Sequence, residues 1–431
     1  MKTRYSLFIK LSLFIFAFMI MLGIYAPLLA NDYPILMVYR HVVYFPLFKH
    51  LLSNTQYSKS IDLFFNCLLI TSPLYMTYIF ARKRPLFILS LMSTLGLFIL
   101  TLTGHFETNR FNYHQPGLYK QPLSTLQIDN QAQTVELYIR NQHITSLLNL
   151  NERKQNPWDK QQQAWSNAVE SEKSNKRHIN VIDKNKQWLD EETSHIQFLF
   201  YPLIPFNWET FYPLSSNLQD SLPLIYKFRL TQNSLFSSLI YGTRISITVG
   251  IVAVFISLLV GIPIGALAGY IGGRFDMFTC RFIEIWECFP VFFMLLFVTS
   301  MLQTKSILII IMLLSIFSWT GFSRYIRAEV LKQKNLPYVE AAHAAKLSNI
   351  NILLFEILPN AINPIITLVP FAMMGAIGSE AGLSFLGLGE NISCSWGTLM
   401  DEGRQLFPSK SYMLWPAAIM LSLFLISIAI I

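Results

Sequence analysis

The amino-acid sequence predicts an all-α polytopic membrane protein, on three observations. Of its 431 residues, 53% are hydrophobic, 14% aromatic and only 13% charged, too little polar surface to wrap a water-soluble core of this size. Apolar windows recur at 8–29, 61–80, 86–104, 244–271, 283–302, 306–326, 360–387 and 412–431, each close to or above the roughly 20 residues that a helix needs to cross about 30 Å of hydrocarbon. Basic residues gather on alternate connections between those windows.

Lys2, Arg4 and Lys10 stand at the start of the first window. Arg82, Lys83 and Arg84 separate the second from the third, and Arg324, Arg327, Lys332 and Lys334 follow the sixth. All fall on one side if the N-terminus is cytoplasmic, the arrangement that the positive-inside rule favours. Arg40, Lys49, Lys59, Lys305, Arg404 and Lys410 fall on the other. A cleaved signal peptide ending near Leu28-Leu29-Ala30 is the alternative for the first window, which is long for that purpose. The net charge of +8 reads as anchoring to anionic membrane lipid. No basic stripe with interleaved aromatics points to nucleic acid. Cys67, Cys280, Cys288 and Cys394 show no paired spacing, so neither a zinc site nor a disulfide framework is predicted, and no cofactor is expected.

Composition divides the chain into three blocks. Residues 1–104 hold about three spans, 105–243 form a polar extracytoplasmic region with a lead-in helix, and 244–431 hold five spans with short connections. Within the middle block, 150–195 is rich in Gln, Glu, Lys and Asn around Trp158, Trp165 and Trp188, a pattern open between helix and loose order. The apolar run 196–214 contains Pro202, Pro205 and Pro213 and is predicted as an irregular segment at the membrane surface. An amphipathic stretch from Leu224 to Arg244 leads into the fourth span, and no internal repeat is evident.

The connection after the sixth span is the most informative stretch. Arg327 closes that span, and Pro337 disfavours its continuation while suiting the first turn of a new helix. Glu340 then lies near the positive helix end, favourable by about 0.3–1 kcal/mol. Ala341, Ala342, Ala344 and Ala345 make a smooth face that lets another protein approach the backbone closely. A second short helix, about 349–357, runs to Leu358 and Pro359, where the seventh span begins. The result is a compact cytoplasmic projection over 335–359.

Glu340-Ala341-Ala342, with Ile357-Leu358-Pro359 at its distance, resembles the EAA loop of ABC importer permeases. Tyr241-Gly242-Thr243-Arg244-Ile245-Ser246, Gly265-Ala266-Leu267-Ala268-Gly269-Tyr270, Ser318-Trp319, the run from Glu380 through Gly389 and Ser395-Trp396-Gly397 are similar, in this order, to the second permease subunit of dipeptide and oligopeptide permeases. The resemblance covers about 224–431. Weaker likeness at 26–32 and 202–206 is to members with an enlarged extracytoplasmic loop. It implies a type I ABC importer transmembrane domain with extra N-terminal spans, in a bacterial cytoplasmic (inner) membrane. The implied partners are a second permease subunit, two ATP-binding cassette subunits and an extracytoplasmic peptide-binding protein. It also implies an ATPase-docking site made of Glu340, Ala341, Ala342, Ala345, Lys346, Leu358 and Pro359. The chain has no Gly-x-x-x-x-Gly-Lys-[Ser/Thr] loop, so it is not expected to hydrolyse ATP by that route.

Four departures accompany this likeness. Lys346 stands where the family has glycine, a cost of roughly 1 kcal/mol if the backbone turns left-handed there. The Gly-Thr-Asp and Gly-Arg-Asp pattern usual before the fourth span is absent from 224–240. Two spans at 61–104 are additional, and the sequence stops inside its last span without the usual tail.

Glu380 is the sharpest single residue, because an acid inside a span is costly and faces protein or water. A structural hydrogen bond to a neighbouring helix is the expected role, and binding of a substrate amine the alternative. Gly378, Gly382, Gly387 and Gly389, with Ser379 and Ser384, permit close helix packing; the alternative places Gly378, Gly382, Glu380 and Ser384 along a translocation path. Glu284 and Glu287 are expected in solvated or partner-facing positions, and His343 in solvent. Two other classes stay open at this level. One is an ion-coupled secondary transporter using Glu380 as proton carrier, the other a non-transporting membrane scaffold.

Overall fold

The apolar windows fold as helices because every backbone polar group inside a bilayer must be satisfied within its own segment. The computed structural model describes residues 2–52, 59–81, 84–102, 135, 138–140, 142–143, 176–210, 223–302, 306–390, 394–408 and 410–431. Arg82, Lys83, Trp158, Trp165, Pro213 and Lys305 lie outside the described residues. In chain order the principal helices are α1 (Lys2–Ile24), α2 (Ser60–Ala81), α3 (Arg84–Leu102), α4 (Lys176–Thr193), α5 (Leu235–Ile271), α6 (Gly273–Glu287), α7 (Val291–Leu302), α8 (Ile307–Lys334), α9 (Pro337–Ala344), α10 (Val369–Phe385), α11 (Trp396–Gln405) and α12 (Leu414–Ile430). Three strands, β1 (Leu36–Tyr39), β2 (Val42–Tyr44) and β3 (Ile196–Phe200), complete the set. The chain forms two compact units, one of Leu22–Tyr241 and one of Met1–Met21 with Gly242–Ile431.

Among the described residues, five helical stretches are long and apolar enough to cross a membrane, or six if α6 and α7 make one span bent by 69°. Helices occupy the described part of each of the eight windows read from the sequence. The first window folds as α1, which breaks at Tyr25 before a short turn with proline at its start, Ala26–Leu29. The second folds as α2, 22 residues long, with Asp62 in its first turn and an internal Pro73. The fifth is interrupted at Cys288, Phe289 and Pro290, between α6 and α7.

In the Leu22–Tyr241 unit, α2 packs along α3. Thr71 and Thr94 share a hydroxyl hydrogen bond of 2.8 Å, and Phe64 meets Phe98 edge-on at 5.5 Å. Proline at 73 has no N–H for the carbonyl of Leu69. The Ser72 hydroxyl donates to that carbonyl at 2.7 Å instead.

The same unit contains an antiparallel sheet in the order β2-β1-β3, which corrects the irregular reading over 196–200, while 201–210 is irregular as expected. Arg40 and His41 form the two-residue β1–β2 connection, both at positive φ, 49° and 64°, as a hairpin turn matched to strand twist requires. Arg40 and the Tyr39 hydroxyl both bond to the nearly buried Glu192 carboxylate. Burial, reinforced by Glu192, holds the Tyr39 phenol well above its usual range. Between Val38 and Tyr39 the register shifts, so that Ile196 pairs with Tyr39 while Phe198 pairs with Val38. This bulge at Gln197 puts Ile196 on the inner face with Leu199, against Met37, Tyr39, Val135, Ile139 and Leu189.

In the other unit, α5 and α8 meet along a seam of glycines. A Cβ on Gly261 would lie 2.6 Å from the Trp319 carbonyl oxygen, on Gly265 2.1 Å from that of Ser323, and on Gly269 2.8 Å from that of Arg327. The four-residue spacing on both helices lets the backbones touch, the packing that small residues permit in membranes. Ser257 and Ser315 tie the seam further along by hydrogen bonds of 3.2 Å to the opposite helix.

Candidate functional site

The loop after α8 is built from its stops and starts. Lys334, in the last turn of α8, donates to the carbonyl of Tyr270 at 2.5 Å, placing a cation at the negative end of α5. Leu336 is extended, Pro337 opens α9 and Glu340 lies in its first turn. Val339 and Ala342 face inward, 1% and 8% exposed, in a core shared with Ala266, Phe322, Ile326 and Val330. Glu340, Ala341, His343, Ala345 and Lys346 face outward. The alanine run therefore has two faces, one packed on the spans and one free.

Helix α9 closes with a Schellman ending. The Lys346 N–H bonds to the His343 carbonyl at 2.9 Å and the Leu347 N–H to that of Ala342 at 3.2 Å. This geometry demands a left-handed residue, usually glycine, and Lys346 adopts it at φ 57°. Ser348 then caps the next helical run by accepting from the Asn351 N–H.

That run does not stop near 357 as the sequence reading had it. A π-helical turn, Ile352–Ile357, passes directly into Leu358–Ala361. Pro359 explains the wider turn, since its ring excludes the ordinary contact with the carbonyl four residues back. The Asn360 side-chain amide donates to the Glu356 carbonyl at 2.8 Å. Ile352, Leu353 and Ile357 are buried in the same core as Val339, with Leu358 half-buried and Pro359 exposed. The seventh span starts later than Pro359, at Asn363, and runs to Phe385.

Ion pairs surround the base of this projection. Arg327 Nη2 donates to Asp276 Oδ2 at 2.6 Å, joining α8 to α6, and Arg324 lies 2.5 Å from Glu287. Glu284 pairs locally with Arg281. The sequence marked these residues by charge alone; their pairing across helices had no local signal.

Glu380 belongs to a separate place, toward the end of α10 away from Pro359. It is 2% exposed and accepts the Ser384 hydroxyl at 2.7 Å. Around it the chain is tightly folded. A Cβ on Gly389 would fall 2.4 Å from Ser384 Oγ, and one on Gly397, in α11, 2.6 Å from the Ala381 carbonyl oxygen. Gly382 is looser, with Phe292 at 3.3 Å, and Gly378 meets nothing within 4 Å. An apolar recess of about 410 Å³ lies elsewhere, between α5, α6 and α8, lined among others by Ile256, Val260, Phe278, Phe282, Trp286 and Trp319. No ionisable side chain lines it, so it offers little to orient a charged or peptide-like solute.

The loop has a packed inner face and an exposed small-residue outer face, and it is set between apolar helices. Residues 261–431 match the family of the binding-protein-dependent transport system inner membrane component. Over 167 residues the chain is 38% identical to the peptidoglycan transport system permease protein YejE of Agrobacterium fabrum, covering 38% of this chain and 44% of that one. Over 179 residues it is 38% identical to the oligopeptide transport system permease protein OppC of Haemophilus influenzae, covering 41% and 57%. A longer match of 275 residues, 27% identical, is to the oligopeptide transport system permease protein OppC of Lactococcus lactis subsp. lactis, covering 60% and 94%. The chain spans about half the length of the first two relatives.

Proposed function

We propose that this chain is a permease subunit of an ATP-driven importer of peptides. It pairs with a second permease subunit, two ATP-binding cassette subunits and an extracytoplasmic peptide-binding protein, in a bacterial inner membrane with the N-terminus cytoplasmic. The observation that carries the reading is the two-faced helix α9. Its outer face of Glu340, Ala341 and Ala345 presents the docking surface to an ATPase subunit, while Val339 and Ala342 pass its displacement to α5 and α8 through the shared core. Lys346, Leu358 and Pro359 shape the same projection. ATP binding closes the ATPase pair, and its differential affinity for the closed state biases the spans between two access states. Peptide bonds stay intact.

Glu380 and Ser384 act in this reading as a structural pair within α10, and the open side of Gly378, with Gly382 one turn on, borders the translocation path. The test is site-specific photo-crosslinking from Ala341 and Ala345 in the intact, transport-competent assembly. Crosslinks to a nucleotide-binding subunit are expected. Crosslinks to lipid alone would overturn the proposal.

A further inference from the structure

Antiparallel sheets with one face on a core ordinarily alternate apolar inward with polar outward. The sheet of β1, β2 and β3 does not. Its inner face, with Met37, Tyr39 and Leu199, is covered by the small core that includes Leu189. The opposite face consists of Leu36, Val38, Val43, Phe198 and Phe200, with Leu36 opposite Phe200 and Val38 between Val43 and Phe198. All five are apolar. Val43 is 52% exposed, Phe198 51% and Phe200 55%. Phe45, Phe48 and Leu203, in the segments that leave β2 and β3, are exposed as well. In water such a contiguous aromatic and β-branched face is costly, at roughly 25 cal/mol for each Å² left uncovered.

The chain itself says what lies next to this face. The sheet is held to α2, the partner of span α3, at the end where α2 begins. The Leu47 N–H bonds to the Pro34 carbonyl at 3.1 Å, just before β1, and the Leu51 carbonyl accepts from Asn66 Nδ2 at 2.9 Å, within the first two turns of α2. From the end of β2 at Tyr44 to Leu51 the chain runs mostly through the short helix Pro46–His50, a reach of about 20 Å at most. The sheet is therefore confined to the neighbourhood of the membrane boundary. Phenylalanine and β-branched side chains suit the zone between headgroups and acyl chains, and Lys49, in the last turn of that short helix, sets positive charge beside it where anionic headgroups lie.

We infer that the Leu36, Val38, Val43, Phe198 and Phe200 face is a membrane-dipping surface, seated on lipid of the leaflet where α2 begins. It makes this sheet a lipid-bound platform. The inference does not depend on the transport reading, since it concerns the other unit.

The test uses the full chain in its native membrane, with p-benzoylphenylalanine replacing Phe198 or Phe200, a change that keeps an aromatic ring in place. Irradiation is expected to yield lipid adducts by mass spectrometry at both positions and none at Gln197, the bulge residue whose amide lies 2.7 Å from His41. A Phe198→Trp chain in vesicles supplies a second readout. The added fluorescence is expected to be quenched several-fold more strongly by brominated lipid than by acrylamide. Crosslinks into another polypeptide or into another segment of this chain would overturn the inference, as would stronger quenching by acrylamide.

Discussion

Lys346 and Gly387 occupy the same position of the same helix-ending motif. Each is the left-handed residue just past a helix, at φ 57° and 81°. Past α10, the Gly387 N–H bonds to the Ser384 carbonyl and the Leu388 N–H to that of Leu383, both at 3.0 Å, repeating the pattern at the end of α9. One site has the residue that the motif favours and the other a cation with a long side chain. Lys346→Gly is expected to stabilise the projection by roughly 0.5–1 kcal/mol. Slower hydrogen exchange at the amides of residues 346 and 347 would show it; unchanged or faster exchange would mean that the lysine side chain holds the turn by itself.

The seam between α5 and α8 leaves no room for a methyl group. Gly265→Ala would drive a Cβ into Ser323 O and Ile326 Cγ2, 2.1 and 2.4 Å away, and is expected to cost about 1–3 kcal/mol through helix separation. Gly378→Ala, with open space around it, should leave the melting temperature in detergent unchanged or slightly raised. Equal effects at the two positions would refute this account of the seam.

Glu380 and Ser384 separate a structural role from a substrate-binding one. Glu380→Gln keeps an acceptor for the Ser384 hydroxyl and should melt close to the parent chain. Glu380→Ala removes that acceptor from a buried site and should cost roughly 1–3 kcal/mol. A Glu380→Gln chain with normal stability and abolished uptake would instead identify a contact with cargo.

Neighbouring alanines in α9 are expected to fail differently when enlarged. Ala342→Leu overfills the core beneath the helix, where Ala342 is 8% exposed, and should lower thermal stability by about 1–3 kcal/mol. Ala341→Leu, or reversal of charge at Glu340, should leave stability unchanged and uncouple ATP hydrolysis from uptake in the reconstituted complex. Intact coupling in Ala341→Leu would argue against docking on this face.

Much of α9 was legible from residues alone, because its signals are local. Pro337, Glu340 and the alanines fix where the helix starts and what it presents, while the turn at 346 was marked only through the family resemblance, in which glycine stands where this chain has lysine. The sheet was not legible. Its strands are three to five residues long and β1 pairs with a segment about 160 positions away, so no short window contains the pairing. The hairpin uses Arg40 and His41 in place of the asparagine and glycine that would have announced it, and the apolar outer face hid the alternation by which strands are read. The seam on α5 did have a signal, glycine at 261, 265 and 269, visible only when the spacing of four is followed through the helix. The interruption at Cys288–Pro290 shows the opposite limit. Pro290 was visible, but a 69° bend depends on how α6 packs under α8 through Asp276 and Arg327.

Because α5 and α8 touch backbone to backbone at three successive turns, they answer a push as a single stiff rod. Neither helix can slide past its neighbour without a carbonyl striking a Cα. Compliance in this half of the molecule must therefore sit where the winding is already irregular, from the wide turn at Ile352–Ile357 through the broken stretch before Val369, which would serve as the joint about which the rod tilts.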